Sequence, residues 1–185
     1  MSDASPGQMS HADRHDLDKL ARWQAGLHAA NKAGDYSFPA CAIFLVSGED
    51  RASHDIFRRY RSAFEELGGG FHHLVIFGQH GISTTQQAFL REVGMDQTSV
   101  PLLAIAPNPD ASGSVYCIEL PRGERSGDLD QSQTWNAALE AVGQAATAGG
   151  APELGVIGGV RSGAFRSGSL EDTVNVVMND LGQDQ

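Results

Sequence analysis

Hydrophobic positions along this chain fall into two regimes. Between residues 13 and 32, Leu17, Leu20, Trp23 or Gln24, and Leu27 recur in steps of three and four, the spacing of one helix face. Gly34-Asp35 ends that helix and Ser37-Phe38-Pro39 breaks it further. The run Cys41-Ala42-Ile43-Phe44-Leu45-Val46 then shows no alternation, so it reads as a short strand buried on both faces. Helical spacing returns from Arg51 to Leu67, with Phe57, Tyr60, Phe64 and Leu67 on one side and Gly68-Gly69-Gly70 as the stop. FHHLVIFG, from Phe71, reads as a second buried strand. Ser83 or Thr84 caps a short helix carrying Phe89, Leu90 and Val93 and ending at Gly94.

The second half continues in the same manner. VPLLAIAP, residues 100–107, is a third strand, and SVYCIEL, residues 114–120, a fourth. The turn-forming residues between Asn108 and Gly113 join them as a hairpin. After a loop from Arg122 to Asp130, a helix is predicted over 132–147, with Trp135, Leu139 and Val142 on one face. Gly149-Gly150-Ala151-Pro152 is a linker, and LGVIGGV, residues 154–160, reads equally as an edge strand or a loop. A last helix is predicted over 169–181, with Ser169 as N-cap, Glu171 and Asp172 at its positive end and Gly182 after it.

The element order predicts an α/β domain. Two strand–helix–strand crossovers imply parallel pairing among the early strands, and the hairpin adds an antiparallel edge. Pro101 is the odd residue, because proline offers no N–H to a ladder and is excluded from a central strand. The stretch Val100-Pro101-Leu102-Leu103, following the Gly94-Met95 helix end, resembles the cis-proline loop that opens the third core strand of the thioredoxin fold. The resemblance covers roughly residues 40–121. It implies a mixed sheet of about four to five strands flanked by helices, with extra N- and C-terminal helices. It also implies a cis Val100–Pro101 peptide and a groove beside Pro101 in which related proteins hold extended polypeptide. The expected organisation is a flexible tail over 1–12 and one domain over 13–185 with a C-terminal helical extension.

The chain departs from the family where redox chemistry occurs. Thioredoxin-like oxidoreductases carry Cys-x-x-Cys between the first core strand and its helix, where the helix N-terminus favours the thiolate. Here that junction reads Ser47-Gly48-Glu49-Asp50-Arg51-Ala52-Ser53-His54, with Asp50 and Ser53 near the two cysteine positions. Cys41 and Cys117 fall on strands expected to flank the proline strand. Two strand spacings are about 9–10 Å, and a disulfide needs Cα atoms within about 7 Å. Two free, buried thiols are therefore expected. The resulting expectation is a non-redox, protein-binding or assembly module without a cofactor, its groove formed by Asp50, Arg51, Ser53, Val100 and Pro101. The alternative is an enzyme handling thiols or peroxide through Cys41 alone, which requires that thiol to be exposed and of low pKa.

Charge and motif content narrow the partners. The net charge is −10, and it is unevenly spread: residues 1–61 balance eight acids with eight Lys/Arg, whereas 62–185 set fifteen acids against five. Such a chain disfavours nucleic acid. A protein partner is expected, and the terminal helices, 13–32 and 169–181, are expected either to pack on the body or to form a partner or homodimer surface. No apolar run approaches the ~18 residues of a membrane span. The polar opening MSDASPGQMSHADRHD lacks the parts of a secretory signal, so the expected location is cytoplasmic without membrane insertion. His11 and His15 share helical spacing near Asp13 and Asp16 but bring no closed ligand set, so no metal is expected. His72 and His73 would point to opposite faces of a strand, and His80 reads as a loop residue. Arg51, Arg58 and Arg61 recur on one helix face, read as a solvated strip paired with Glu65 and Glu66. GVIGGVRSGAFRSG matches neither G-x-G-x-x-G nor a P-loop, and no G-x-S-x-G is present.

Overall fold

The computed structural model describes residues 10–32, 40–46, 58, 61–63, 66, 74–77, 83–107, 113–119 and 129–182. They form a mixed α/β arrangement. Helix α1 spans His11–Lys32, β1 Ala40–Leu45, β2 Leu74–Phe77, α2 Thr84–Glu92, β3 Leu102–Pro107, β4 Ser114–Glu119, α3 Leu129–Ala148, β5 Arg161–Ala164 and α4 Leu170–Gly182. A 3₁₀ turn over Gln97–Ser99 leads into β3. Arg58, residues 61–63 and Glu66 are helical, within the helix predicted from Arg51 to Leu67.

The strands form one five-stranded sheet in the order β2-β1-β3-β4-β5. β1 and β2 are parallel; β1–β3, β3–β4 and β4–β5 are antiparallel. The expectation of parallel pairing holds for β1–β2 and is corrected for β3. The reason lies in where α2 begins. Gln86 in its first turn donates from Nε2 to the Val46 carbonyl at 2.7 Å. The chain then enters β3 at the same end of the sheet, with Leu102 paired to Leu45. Helix and turn together return the chain to the end it left, so β3 runs against β1. The hairpin pairing of β3 with β4 is as expected.

Burial explains the unalternating strands. Every residue of β1 and β3 is buried. Their side chains alternate between two apolar layers, as the strand pleat requires. Cys41, Ile43, Leu45, Leu102, Ala104 and Ala106 face one layer, with Leu20 and Trp23 of α1, Phe89 of α2, and Val174 and Val177 of α4. Ala42, Phe44, Leu103, Ile105 and Ile118 face the other, against Trp135, Ala138 and Val142 of α3. The sheet is thus covered by α1, α2 and α4 on one side and by α3 on the other.

Local chemistry sets the element ends. α1 begins at His11, two residues before the expected boundary, because Ser10 Oγ accepts from the Asp13 backbone N–H at 3.0 Å and donates to Asp13 Oδ2 at 2.6 Å. Ser83 caps α2 in a reciprocal box: its hydroxyl accepts from Gln86 N, and Gln86 Oε1 accepts from Ser83 N. Gly94 ends that turn at φ 71°, a left-handed conformation open to glycine. Ser169 Oγ accepts from Asp172 N at 3.0 Å at the start of α4, as its N-cap reading predicts. α4 itself extends through Gly182.

The segment left open between strand and loop resolves into two parts. Residues 155–159 form turns, and the edge strand is β5, which follows them. All four β5 residues are exposed. Both terminal helices pack on the body: Leu20 and Trp23 of α1 and Leu170, Val174 and Val177 of α4 belong to one core layer. Gln24 Nε2 donates to Asn175 Oδ1 at 2.8 Å across them.

Candidate functional site

One end of the sheet gathers the residues of interest. β1 finishes there at Leu45, β3 starts there at Leu102, and β4 finishes there at Glu119, with Leu45 paired to Leu102 and Leu102 to Glu119. Val46 and Pro101 lie one residue beyond the Leu45–Leu102 pair, side by side at this end. The Val100–Pro101 peptide is cis. Val100 and Pro101 are both buried. Pro101 precedes the first ladder residue of β3, a place that asks for no proline N–H.

The approach to Pro101 is held by polar contacts. Asp96 caps the 3₁₀ turn, accepting from Thr98 N at 2.7 Å and from the Thr98 hydroxyl. Val100 N donates to Gln97 O at 3.4 Å. Ser99 Oγ donates to Glu119 Oε1 at 3.3 Å, which ties the turn to the end of β4. On the other side, Gln86 fixes the Val46 carbonyl and is itself fully buried. Both strands that border Pro101 are therefore anchored by side chains from neighbouring elements.

Of the five groove residues expected from sequence, Val100 and Pro101 are placed, and Asp50, Arg51 and Ser53 lie outside the described residues. So do His72, His73 and His80. His11 and His15 are exposed on α1. Among the described residues, no group of three His, Cys, Asp or Glu side chains is placed to hold a metal ion. Arg58 and Arg61 are exposed on helical residues; Arg51 and Glu65 lie outside the described set.

The thiols are free and buried, as the strand placement predicted. Cys41 pairs across to Ala106 and Cys117 to Ala104, so β3 separates them. Burial pushes each thiol up to about 12. For Cys117 the nearby Arg161 guanidinium opposes that rise and Glu119 adds to it. Cys41 also lies toward the opposite end of β1 from Val46, five residues away or about 16 Å along a strand.

Around the free end of β4, a cleft of about 640 Å³ opens between β4, α3 and the turns before β5. β5 pairs with β4 as far as Cys117–Arg161, so Ile118 and Glu119 extend past it into the cleft. Thr134 and Gly158 form another wall, joined by a 2.7 Å hydrogen bond from Thr134 Oγ1 to the Gly158 carbonyl. Sequence reading missed this cleft. Its walls come from segments far apart in the chain, and the glycines of residues 155–159 carried its only local signal.

No family model, curated protein or solved structure matches this chain. Among the described residues, no helix is long and apolar enough to cross a membrane.

Proposed function

We propose that this chain is a thioredoxin-like domain without redox cysteines, and that it works as a protein-binding or assembly module through a groove beside Pro101. One observation carries the reading. The end of β1 and the start of β3 stand side by side, so the chain leaves Val46 next to Pro101, and the stretch that follows, residues 47–54, contains no cysteine. The strand order β2-β1-β3-β4, with β1 and β2 parallel and β3–β4 antiparallel, supports the resemblance. Serine at position 53 cannot carry electrons at ordinary potentials, and carboxylate at position 50 cannot either. What remains at this end is a strand entrance followed by a stretch of mixed charge, Glu49-Asp50-Arg51, a combination suited to extended polypeptide.

The alternative, an enzyme using Cys41, is disfavoured by the thiol itself. Cys41 is 1 % exposed, its pKa is raised by burial, and it sits toward the far end of the strand from Pro101. A reactive thiol needs the reverse on each count.

The test is site-specific photo-crosslinking. A benzoylphenylalanine placed at exposed Thr98, next to Pro101, should yield discrete protein adducts in a native cell extract. The same group at exposed Arg22 on α1 should not. Equal yields at both positions, or reduction of insulin by the purified chain, would refute the reading.

A further inference from the structure

The acidic part of the chain concentrates its few cations in one place. Residues 62–185 hold five Lys/Arg against fifteen acids. Three of those five, Arg91, Arg161 and Arg166, line a single hollow of about 290 Å³ together with Met95, Asp96 and Ser99. They arrive from separate elements: Arg91 from the last turn of α2, Arg161 from the first position of β5, and Arg166 from the turn after β5. Bringing guanidinium groups together costs Coulomb energy unless anions offset it.

The offset is incomplete. Arg91 is engaged, its Nη2 donating to Asp180 Oδ2 at 2.9 Å. Arg161 reaches Glu119 Oε1 only at 3.6 Å, in an exposed pair of little energetic weight. Arg166 makes no ion pair with any carboxylate among the described residues, although Asp96 shares the hollow. Its backbone is nonetheless fixed. Arg166 N donates to the Glu92 carbonyl at 2.9 Å, and Ser167 N donates to Glu92 Oε2 at 3.0 Å. Arg161 is fixed in turn by its ladder position opposite Cys117. Two guanidinium groups with spare donors are thus mounted on anchored backbone.

We propose that Arg161 and Arg166 bind one carboxylate, with the body of the ligand lying in the adjoining 640 Å³ cleft, which shares Met95 and Arg161 with the hollow. A guanidinium fork matches a carboxylate in plane and in spacing. Ile118, Ile157 and Ala137 give the cleft apolar walls for an aliphatic or side-chain body. A phosphate dianion is the poorer fit, because Asp96 and Glu119 stand at the same site and repel a second negative charge. The site does not depend on whether the groove beside Pro101 takes polypeptide. Its carboxylate can belong to a small aliphatic acid or to the C-terminus of a peptide.

The experiment is a titration followed by amide proton–nitrogen spectra, with hexanoate, hexanamide, inorganic phosphate, and the peptide acetyl-Gly-Ala-Leu-Leu as free acid and as amide. Saturable shifts at Met95, Ser99, Arg161 and Arg166 are expected with both acids and with neither amide. Arg161→Gln and Arg166→Gln should each weaken binding about tenfold, and Arg14→Gln on α1 should leave it unchanged. Tighter binding of the peptide acid than of hexanoate assigns the ligand to polypeptide termini; the opposite order assigns it to small acids. Three results would overturn the proposal: no saturable shift with either acid, equal response to acid and amide, or stronger binding of phosphate. The acid–amide comparison uses the unmodified chain and does not rely on any variant folding.

Discussion

Gln86 and Val46 are joined by a 2.7 Å hydrogen bond from a fully buried amide to the carbonyl where β1 ends. The same side chain accepts from Ser83 N at 3.1 Å, so one glutamine closes a helix cap and fixes the strand end beside Pro101. Gln86→Leu keeps the volume and removes both bonds. A buried carbonyl left unsatisfied costs about 1–3 kcal/mol. Urea unfolding should show a loss of that size with an unchanged m-value. A loss below about 0.5 kcal/mol would mean that water satisfies Val46 instead.

The thiols give a pH prediction. Burial raises Cys41 and Cys117 to about 12, above the ~8.5 of an unfolded cysteine. A raised folded pKa stabilises the protonated, native form. That contribution is complete below about pH 8.5 and is lost as pH rises toward the folded value, at up to about 1.4 kcal/mol per pH unit for each thiol. Urea midpoints should fall between pH 9 and about 11, and the Cys41→Ala/Cys117→Ala double variant should fall less steeply. In the same vein, N-ethylmaleimide at neutral pH should leave the native mass unchanged and add two labels in urea. Rapid native labelling of Cys41 would restore the enzyme reading.

Gly113 sits against the turn that carries Arg166. A methyl group built on Gly113 would clash with the Gly168 carbonyl oxygen, a backbone atom with no rotamer to yield. Phe165 N also donates to the Gly113 carbonyl at 2.7 Å, so the two segments cannot separate freely. Gly113→Ala should cost about 1–3 kcal/mol as the turn is forced off β4. It should also weaken hexanoate binding, because Arg166 moves with the turn. Calorimetric melting and the amide titration read the two effects separately.

The parts of this fold legible in the sequence are those where a side-chain pattern and the backbone agree. β1 and β3 are continuous apolar runs because both faces are covered, and Ser83 and Ser169 stand where their helices begin. Pro101 marked the opening of a strand because its missing N–H is tolerated at few other places. β5 was not legible: Arg161-Ser162-Gly163-Ala164 is exposed throughout and joins the sheet through backbone bonds that leave no hydrophobic period. The reversal of β3 was hidden for a related reason. It depends on where α2 starts and hands over, which Gln86 and Val46 decide across the fold. The arginine hollow needed three dimensions, since Arg91 and Arg161 meet only after α2 and β5 are in place.

Asp16 and Thr85 meet in a similar way. Thr85 Oγ1 donates to Asp16 Oδ2 at 2.7 Å between α1 and α2, with Thr85 fully buried and Asp16 at 9 % exposure. Thr85→Val keeps the shape and deletes the donor. A buried acceptor that loses its partner costs about 1–3 kcal/mol. Thr85→Ser retains the hydroxyl and should recover most of that stability, which separates the hydrogen bond from packing. A larger loss in the serine variant than in the valine variant would assign the effect to the methyl group.

α1 is the element on which the domain boundary turns. Leu20 is fully buried and Trp23 nearly so, both in the core layer that also holds Phe89, Val174 and Val177. A helix packed in this way is part of the folding unit and not an appendage. Removing the Leu20 side chain opens a cavity, and Leu→Ala changes at such sites cost about 2–5 kcal/mol. Leu20→Ala should therefore lower the melting temperature of the whole domain in a single transition, seen alike by far-ultraviolet circular dichroism and, in a Trp23→Phe background, by the fluorescence of Trp135 on α3. Because Trp135 belongs to the opposite core layer, its signal would not move if α1 frayed alone. Two separate transitions, with Trp135 keeping its original midpoint, would show that α1 docks on an independently stable core.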